Sequence, residues 1–123
     1  MKVVGFLAAS CITAAIAVTA FAGEADVTQT EVVRTGPGVY RFSASVLHRD
    51  EGWDHYADRW EVIAPDGHIL ATRTLYHPHV NEQPFTRSLG DVKIPTGIRQ
   101  VEIRAHCSVH AYGGKSESVS LPE

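Results

Sequence analysis

The chain has 123 residues, with 11 Lys and Arg against 14 Asp and Glu, and 44% of its residues are hydrophobic. This slight acidic excess lacks the basic footprint of a nucleic-acid-binding protein, so we expect no nucleic acid as a partner. Beyond the first 22 residues the chain is about the size of one domain. One cysteine, Cys107, remains there, which excludes an intramolecular disulfide as a source of stability.

The N-terminus has the features of a secretory signal peptide. Lys2 supplies a positive start, an uncharged apolar run follows, and Ala20-Phe21-Ala22 forms an A-x-A cleavage site. We therefore predict a signal peptide over residues 1–22 and a single domain over residues 23–123.

Two alternatives to cleavage are weaker. The apolar run is about long enough to anchor the chain in a membrane, and Cys11 offers a lipoprotein site with few apolar residues before it. Small residues and the A-x-A site favour cleavage. The mature chain is then expected to be soluble, in the periplasm or secreted, and not bound to a membrane.

Alternating apolar and polar residues recur along the mature chain, and turn residues separate the runs. The alternation predicts strands near residues 27–33, 39–48, 59–64, 68–77, 85–94, 99–109 and 116–121. Pro65-Asp66-Gly67 joins the third and fourth runs as a hairpin. Gly90-Asp91 interrupts residues 85–94, so that run holds one or two short strands.

About seven short strands predict an all-β fold, a two-sheet antiparallel sandwich of the immunoglobulin/fibronectin-like type. Trp60 falls on the third strand, where immunoglobulin-like domains often place a core tryptophan, although paired cysteines and a tyrosine corner are missing. A small barrel is the alternative. The sixth strand alternates most cleanly and directs five side chains inward: Val101, Ile103, Ala105, Cys107 and Val109.

Two stretches, GWDHYADRW at residues 52–60 and HPHVNEQPFTRSL at residues 77–89, resemble sequences shared by a group of small exported bacterial proteins. The resemblance spans most of the mature chain, and the second stretch is the more specific. It implies a family of exported proteins and supplies no activity.

Strands that run up and down gather the histidines at one end of the sandwich. Six of the seven histidines fall in the same set of connections, and His68 falls at the other end. The six are His48, His55, His77, His79, His106 and His110. Loops at one end of a rigid sandwich often carry binding residues, so this end is the predicted site.

A metal site is the sharpest hypothesis for this end. Pro78 biases His77 toward an extended backbone, and side chains two residues apart in extended chain share a face, about 6.5 Å between Cα atoms. Imidazoles with carboxylates suit zinc or copper. The predicted ligands are His77, His79, His48, His55 and His106, with His110 or Glu82 as further candidates. A blue-copper site is disfavoured, because the mature chain has no Met and Cys107 is expected to point into the core.

A metal-independent module that binds a periplasmic protein or a carbohydrate is the alternative. Aromatic and polar side chains interleave in the same connections and offer apolar area with polar tips. The candidate residues are Trp53, Tyr56, Asp54, Glu82 and Tyr112. The spacing of Trp53, Tyr56 and Trp60 also fits a single helical turn that closes the end of the sandwich.

An enzyme is not expected. No nucleophile elbow, zinc-protease motif or phosphate loop is present, and His106 and Cys107, as neighbours in a strand, face opposite surfaces. A metal hydrolase built on the polar end stays open. A structural alternative for the charges pairs Arg73 and Arg87 with Glu82, Asp54 or Asp58, which would tie the connections down.

Overall fold

The computed structural model describes residues 23–123, and the predicted signal peptide lies outside the described residues. Seven strands form over this range: β1 (Asp26–Gly36), β2 (Val39–Leu47), β3 (Ala57–Ile63), β4 (Ile69–Thr74), β5 (Phe85–Lys93), β6 (Gln100–Cys107) and β7 (Glu117–Ser120). They make two antiparallel sheets, one in the order β1-β2-β5 and the other in the order β4-β3-β6-β7. The predicted all-β, two-sheet antiparallel sandwich is confirmed.

The sheet that the fourth strand joins determines how the seven strands are divided between the two sheets. In a constant-type immunoglobulin domain the fourth strand joins the sheet of the first two strands. Here β4 pairs with β3 in the opposite sheet, and Ile63 pairs with Ile69 next to the turn. Gly67, with φ of 94°, sits in that turn, as Pro65-Asp66-Gly67 predicted. The result is a three-plus-four sandwich.

The core lies between the two sheets, where alternate residues of each strand point inward. Trp60 is fully buried at its centre, as predicted, with Phe42 and Phe85 among the largest side chains around it. The inward prediction is wrong for Val109, which is 58% exposed. Strand β6 ends at Cys107, and the Ala111 amide donates to the Cys107 carbonyl oxygen at 2.9 Å, so the chain has already turned.

Residues 85–93 form one strand despite the Gly90-Asp91 interruption. The interruption appears as a register shift between Tyr40 and Phe42 of the neighbouring strand β2. Asp91 has φ of 53°, a left-handed conformation that Asp tolerates better than most residues. The irregularity therefore bends the strand without dividing it.

The edges of the sheets differ in length and regularity. Strand β7 spans four residues, whereas β1 spans 11 residues and carries two register shifts, between Val27 and Gln29 and between Arg34 and Gly36. Among residues 23–123 no helix has the length and apolarity needed to cross a bilayer.

Candidate metal centre

Three potential metal ligands meet at one end of the sandwich, where β2 ends, β3 begins and β6 ends. His48 follows β2, His55 precedes β3, and Cys107 is the last residue of β6. One ligand atom from each lies within 4.8 Å of the other two. We call these three residues the His/Cys cluster.

His48 is oriented by a buried carboxylate. Its ring is 2% exposed, and Nδ1 lies 2.5 Å from Oδ1 of Asp50. An imidazole that donates from Nδ1 to a carboxylate presents Nε2 to a metal, the usual arrangement around metal-bound histidine. Because Nδ1 of His48 contacts Asp50, Nε2 is the ring nitrogen left for a metal ion, and it lies 3.3 Å from the carbonyl oxygen of Gly23.

His55 has a buried nitrogen without a partner. The residue is 9% exposed, and Nδ1 lies 3.4 Å from a carboxylate oxygen of Glu51. Nε2 makes no hydrogen bond within the described part of the chain. A buried polar atom left in this state costs about 1 to 3 kcal/mol. The His55 ring packs edge-on against His48, with 4.9 Å between ring centroids, so the two imidazoles converge.

Cys107 completes the cluster from the core side. The His110 amide donates to its sulfur at 3.4 Å, and Nδ1 of His110 lies 3.6 Å from the same sulfur. The His110 and His55 ring centroids are 5.0 Å apart. The turn from Cys107 to Ala111 therefore brings a fourth candidate donor, His110, to the edge of the cluster.

The sequence correctly placed Cys107 in the core, where it is fully buried. This core position does not separate Cys107 from the histidines. Cys107 is the terminal residue of its strand, so its sulfur lies at the end of the core, directly under His48 and His55. The core position of Cys107 is therefore no reason to disfavour a blue-copper site, although the mature chain still has no Met for the axial position.

Asp50 links the His/Cys cluster to the segment between β4 and β5. Besides His48, its Oδ1 accepts from the Ala57 amide at 3.0 Å, and its Oδ2 accepts from the His79 amide at 2.6 Å. Burial alone would raise the pKa of Asp50, but the hydrogen bonds from His48, His79 and Ala57 lower it below its ordinary value. The carboxylate stays ionised and fixes three segments at once.

The His77-Pro78-His79 stretch lies beside the cluster. His79 is buried, stacks on Phe85 with 3.9 Å between centroids, and its Nε2 lies 2.9 Å from the Arg87 guanidinium. His77 is exposed, and its Nδ1 lies 3.0 Å from the Pro78 carbonyl oxygen. The two rings are 4.5 Å apart, so the pair is close, yet it does not share the three-residue group. Metal binding by His77 and His79 stays a prediction.

His79 makes stability depend on pH. Its burial first, and then the charges of Arg87 and His77, lower its pKa below the ordinary 6.5. The unfolded chain therefore binds a proton at a higher pH than the folded chain, and the unfolding free energy falls as the pH falls below about 6.5. Denaturant unfolding of residues 23–123 at several pH values between 7.5 and 5 is expected to show this loss. In His79→Phe, which keeps a ring against Phe85, the same loss should be smaller; an unchanged slope would contradict it.

His106, the remaining histidine of the predicted ligand set, lies apart from the cluster. His106 is on the outer face of its sheet, with Nδ1 2.6 Å from Asp58 and its ring 4.9 Å from Tyr112. It therefore faces away from Cys107, as the alternation of a strand requires. His68 pairs with Asp66 at 2.6 Å in the exposed turn between β3 and β4, at the opposite end from the cluster.

Of the candidate partner-binding residues, Trp53 and Tyr56 form an aromatic pair. Trp53 is 67% exposed and contacts Tyr56 edge-on at 5.7 Å, while Asp54 and Glu82 are exposed. The predicted helical turn is wrong, because Gly52 and His55 form a β-bridge around a tight turn. Trp53 therefore points to solvent and does not close the sandwich.

The hydroxyl group of Tyr112 is bound by other side chains of the protein. Its hydroxyl donates to Oε1 of the buried Glu61 at 2.5 Å, and the Arg104 guanidinium lies 3.9 Å from its ring centroid. Arg59 also donates to the Tyr112 oxygen at 3.1 Å. These contacts anchor the turn that carries His110 to the outer face of the sheet.

The structural alternative for the arginines is right in one case. Arg87 lies 3.8 Å from Glu82. Arg73 instead donates to the Ser88 main-chain carbonyl at 2.8 Å, which joins the edges of the two sheets.

Sequence reasoning missed two features of this end. The first is the pair Cys107 and His110, which are three residues apart, so that a tight turn brings the second side chain back beside the first. The second is Asp50, two residues after His48. Both spacings are visible in the printed sequence. Both are less conspicuous than the His77-Pro78-His79 pair.

Comparison with known proteins gives one informative match. The chain is 38% identical over 93 residues to a protein of Halomicrobium mukohataei (strain ATCC 700874 / DSM 12286 / JCM 9738 / NCIMB 13541) named "Putative lipoprotein". The match covers 76% of this chain and 45% of the relative, so the chain spans less than half of that protein's length. No family model matches the chain. No solved structure matches it either.

Proposed function

We propose that the protein is an exported binding protein that holds one transition-metal ion in the His/Cys cluster. The observation that carries the proposal is the His/Cys cluster, in which His48, His55 and Cys107 each offer one ligand atom within 4.8 Å of the others, while the buried Nε2 of His55 has no hydrogen-bond partner in residues 23–123. A metal ion supplies the missing partner for that nitrogen. It also supplies a reason for burying two imidazoles and a thiol together.

The donor set fits zinc or copper. Imidazole suits both metals, and thiolate binds zinc and Cu(I) well. Metal bonds of about 2.0 to 2.3 Å place tetrahedral ligand atoms roughly 3.5 Å apart. The present separations of up to 4.8 Å therefore close by about 1 Å on binding, which side-chain rotation achieves without moving the strands.

Export is supported by two independent features. The first 22 residues have the composition of a signal peptide, and the relative from Halomicrobium mukohataei is named "Putative lipoprotein". We assign the periplasm or the exterior as the location, and a binding role in preference to a catalytic one.

Titration of residues 23–123 with Co²⁺, a spectroscopic substitute for zinc, and with Cu²⁺ tests the proposal. A metal bound by Cys107 gives a thiolate-to-metal charge-transfer absorption. In Cys107→Ser we expect that absorption to disappear and the affinity to fall by about 100-fold or more, since loss of a supporting group alone costs about 10 to 100-fold.

His77→Ala is the matched control, since it removes an exposed imidazole beside the cluster. We expect it to leave the charge-transfer absorption and the affinity unchanged. If His77→Ala weakens binding and Cys107→Ser does not, the His77 and His79 pair is the site, and the cluster is not.

A second candidate function, binding of a periplasmic protein or a carbohydrate without metal, is favoured by the exposed indole of Trp53 beside Tyr56. Exposed aromatic rings of this kind commonly anchor partners. Such binding requires neither His55 nor Cys107. The metal titration therefore separates the two functions.

A further inference from the structure

Gly23, the first residue after the predicted cleavage site, lies against the His/Cys cluster. It is buried, and its carbonyl oxygen is 3.3 Å from Nε2 of His48. A methyl group on its Cα would lie 2.8 Å from Cε1 of His110 and 3.0 Å from both ring nitrogens. The backbone of Gly23 thus fits between two imidazoles, where no larger residue has room.

The strand entry behind Gly23 is held in place by the loop before β7. The Val27 amide donates to the Lys115 carbonyl oxygen at 2.7 Å, and the Lys115 amide donates to Oδ1 of Asp26 at 2.7 Å. Gly114 approaches so closely that a Cβ there would lie 1.9 Å from the Ala25 carbonyl oxygen. These contacts hold Ala25, Asp26 and Val27 in place, and they therefore limit where Gly23 can lie.

The contact between Gly23 and His48 has the spacing of two ligands of one metal ion. Nδ1 of His48 lies 2.5 Å from the Asp50 carboxylate, and Nε2 lies 3.3 Å from the Gly23 carbonyl oxygen. Atoms bound to one tetrahedral metal ion are roughly 3.5 Å apart. A metal ion bound to Nε2 of His48 on this side would therefore lie within reach of the Gly23 carbonyl oxygen.

Resting on the proposed function, we propose that Gly23 is a main-chain ligand of the same metal ion and that removal of the signal peptide completes the centre. A backbone oxygen is a known additional ligand in sites built from histidine and cysteine. Cleavage after Ala22 also frees the α-amino group of Gly23. Amine and carbonyl of one residue close a five-membered chelate ring, whereas in the uncut chain that nitrogen is an amide, which is a poor metal ligand.

Co²⁺ titration of three chains tests the inference. The first begins at Gly23, released from a fusion without extra residues; the second retains Ala22 in front of it; the third begins at Gly23 and carries Cys107→Ser. Circular dichroism and thermal unfolding without metal establish that all three fold alike. The measured quantities are the Co²⁺ affinity, the thiolate charge-transfer absorption and the visible d–d bands, which report the number and type of ligands.

We expect the chain that retains Ala22 to keep the thiolate absorption, to show altered d–d bands and to bind Co²⁺ at least about tenfold more weakly than the chain that begins at Gly23. Equal affinities and identical bands in these two chains would overturn the inference and leave the proposed function standing. If the chain that begins at Gly23 binds Co²⁺ no better than the Cys107→Ser chain, the proposed function fails and this inference fails with it.

Discussion

Asp50→Ala is expected to lower the unfolding free energy by about 3 to 5 kcal/mol, because it removes a buried carboxylate that takes part in three hydrogen bonds. Three donors lose their acceptor at once: Nδ1 of His48 and the amides of Ala57 and His79. Each buried donor without a partner costs about 1 to 3 kcal/mol. Chemical denaturation of residues 23–123 without added metal measures the loss.

The turn between β3 and β4 offers a matched control for this variant. Asp66 and His68 have the same two-residue separation as His48 and Asp50, and a nearly equal contact of 2.6 Å, but both side chains are largely exposed. Asp66→Ala should leave stability almost unchanged, because water replaces the lost contact. Equal losses in the two variants would show that Asp50 contributes nothing beyond a surface pair.

Gly114→Ala is expected to cost about 3 kcal/mol, at the upper end of the usual penalty for forcing atoms into a packed site. The added methyl group would lie 1.9 Å from the Ala25 carbonyl oxygen and 2.9 Å from Oδ1 of Asp26, so main chain has to move. Because this segment leads to Gly23, the same substitution is expected to weaken Co²⁺ binding. Thermal unfolding and Co²⁺ titration measure the two effects.

Gly90→Ala provides the comparison for Gly114. Nothing lies within 4 Å of a Cβ built at Gly90, and its φ is not in the left-handed range. Alanine there should be neutral or stabilise the fold by up to about 1 kcal/mol, since it restricts the unfolded chain. A Gly114→Ala chain that unfolds at the same temperature as Gly90→Ala would contradict the close approach to Ala25.

The strand pattern could be predicted because half-buried strands write their two faces directly into the sequence. Phe42, Ala44 and Val46 are buried as the alternation indicated. Alternation does not show where a strand stops. The alternation of apolar and polar residues continues through Val109. The chain nevertheless turns after Cys107, because hydrogen bonds between Cys107 and Ala111 close a turn there.

The candidate site was found in part. Up-and-down topology was enough to bring His48 and His55 to one end, since both flank strand ends. The topology did not place Cys107 in the site. Alternation shows whether a side chain faces inward or outward, but it does not show how close the residue is to the end of its strand. The core has an end, and a residue there is both buried and next to the connections. The position of Cys107 relative to the end of the core follows from the register of β6 against β3, in which Cys107 pairs with Ala57.

The irregular pairing of β1 affects how readily the protein associates with other copies of itself. An edge strand with a regular row of free amides and carbonyls invites a second molecule to extend the sheet. The two register shifts in β1 interrupt that row, and β7, at the edge of the other sheet, spans four residues. Each sheet thus has one edge that is a poor template for another copy, which lowers the tendency of a domain without disulfides to aggregate.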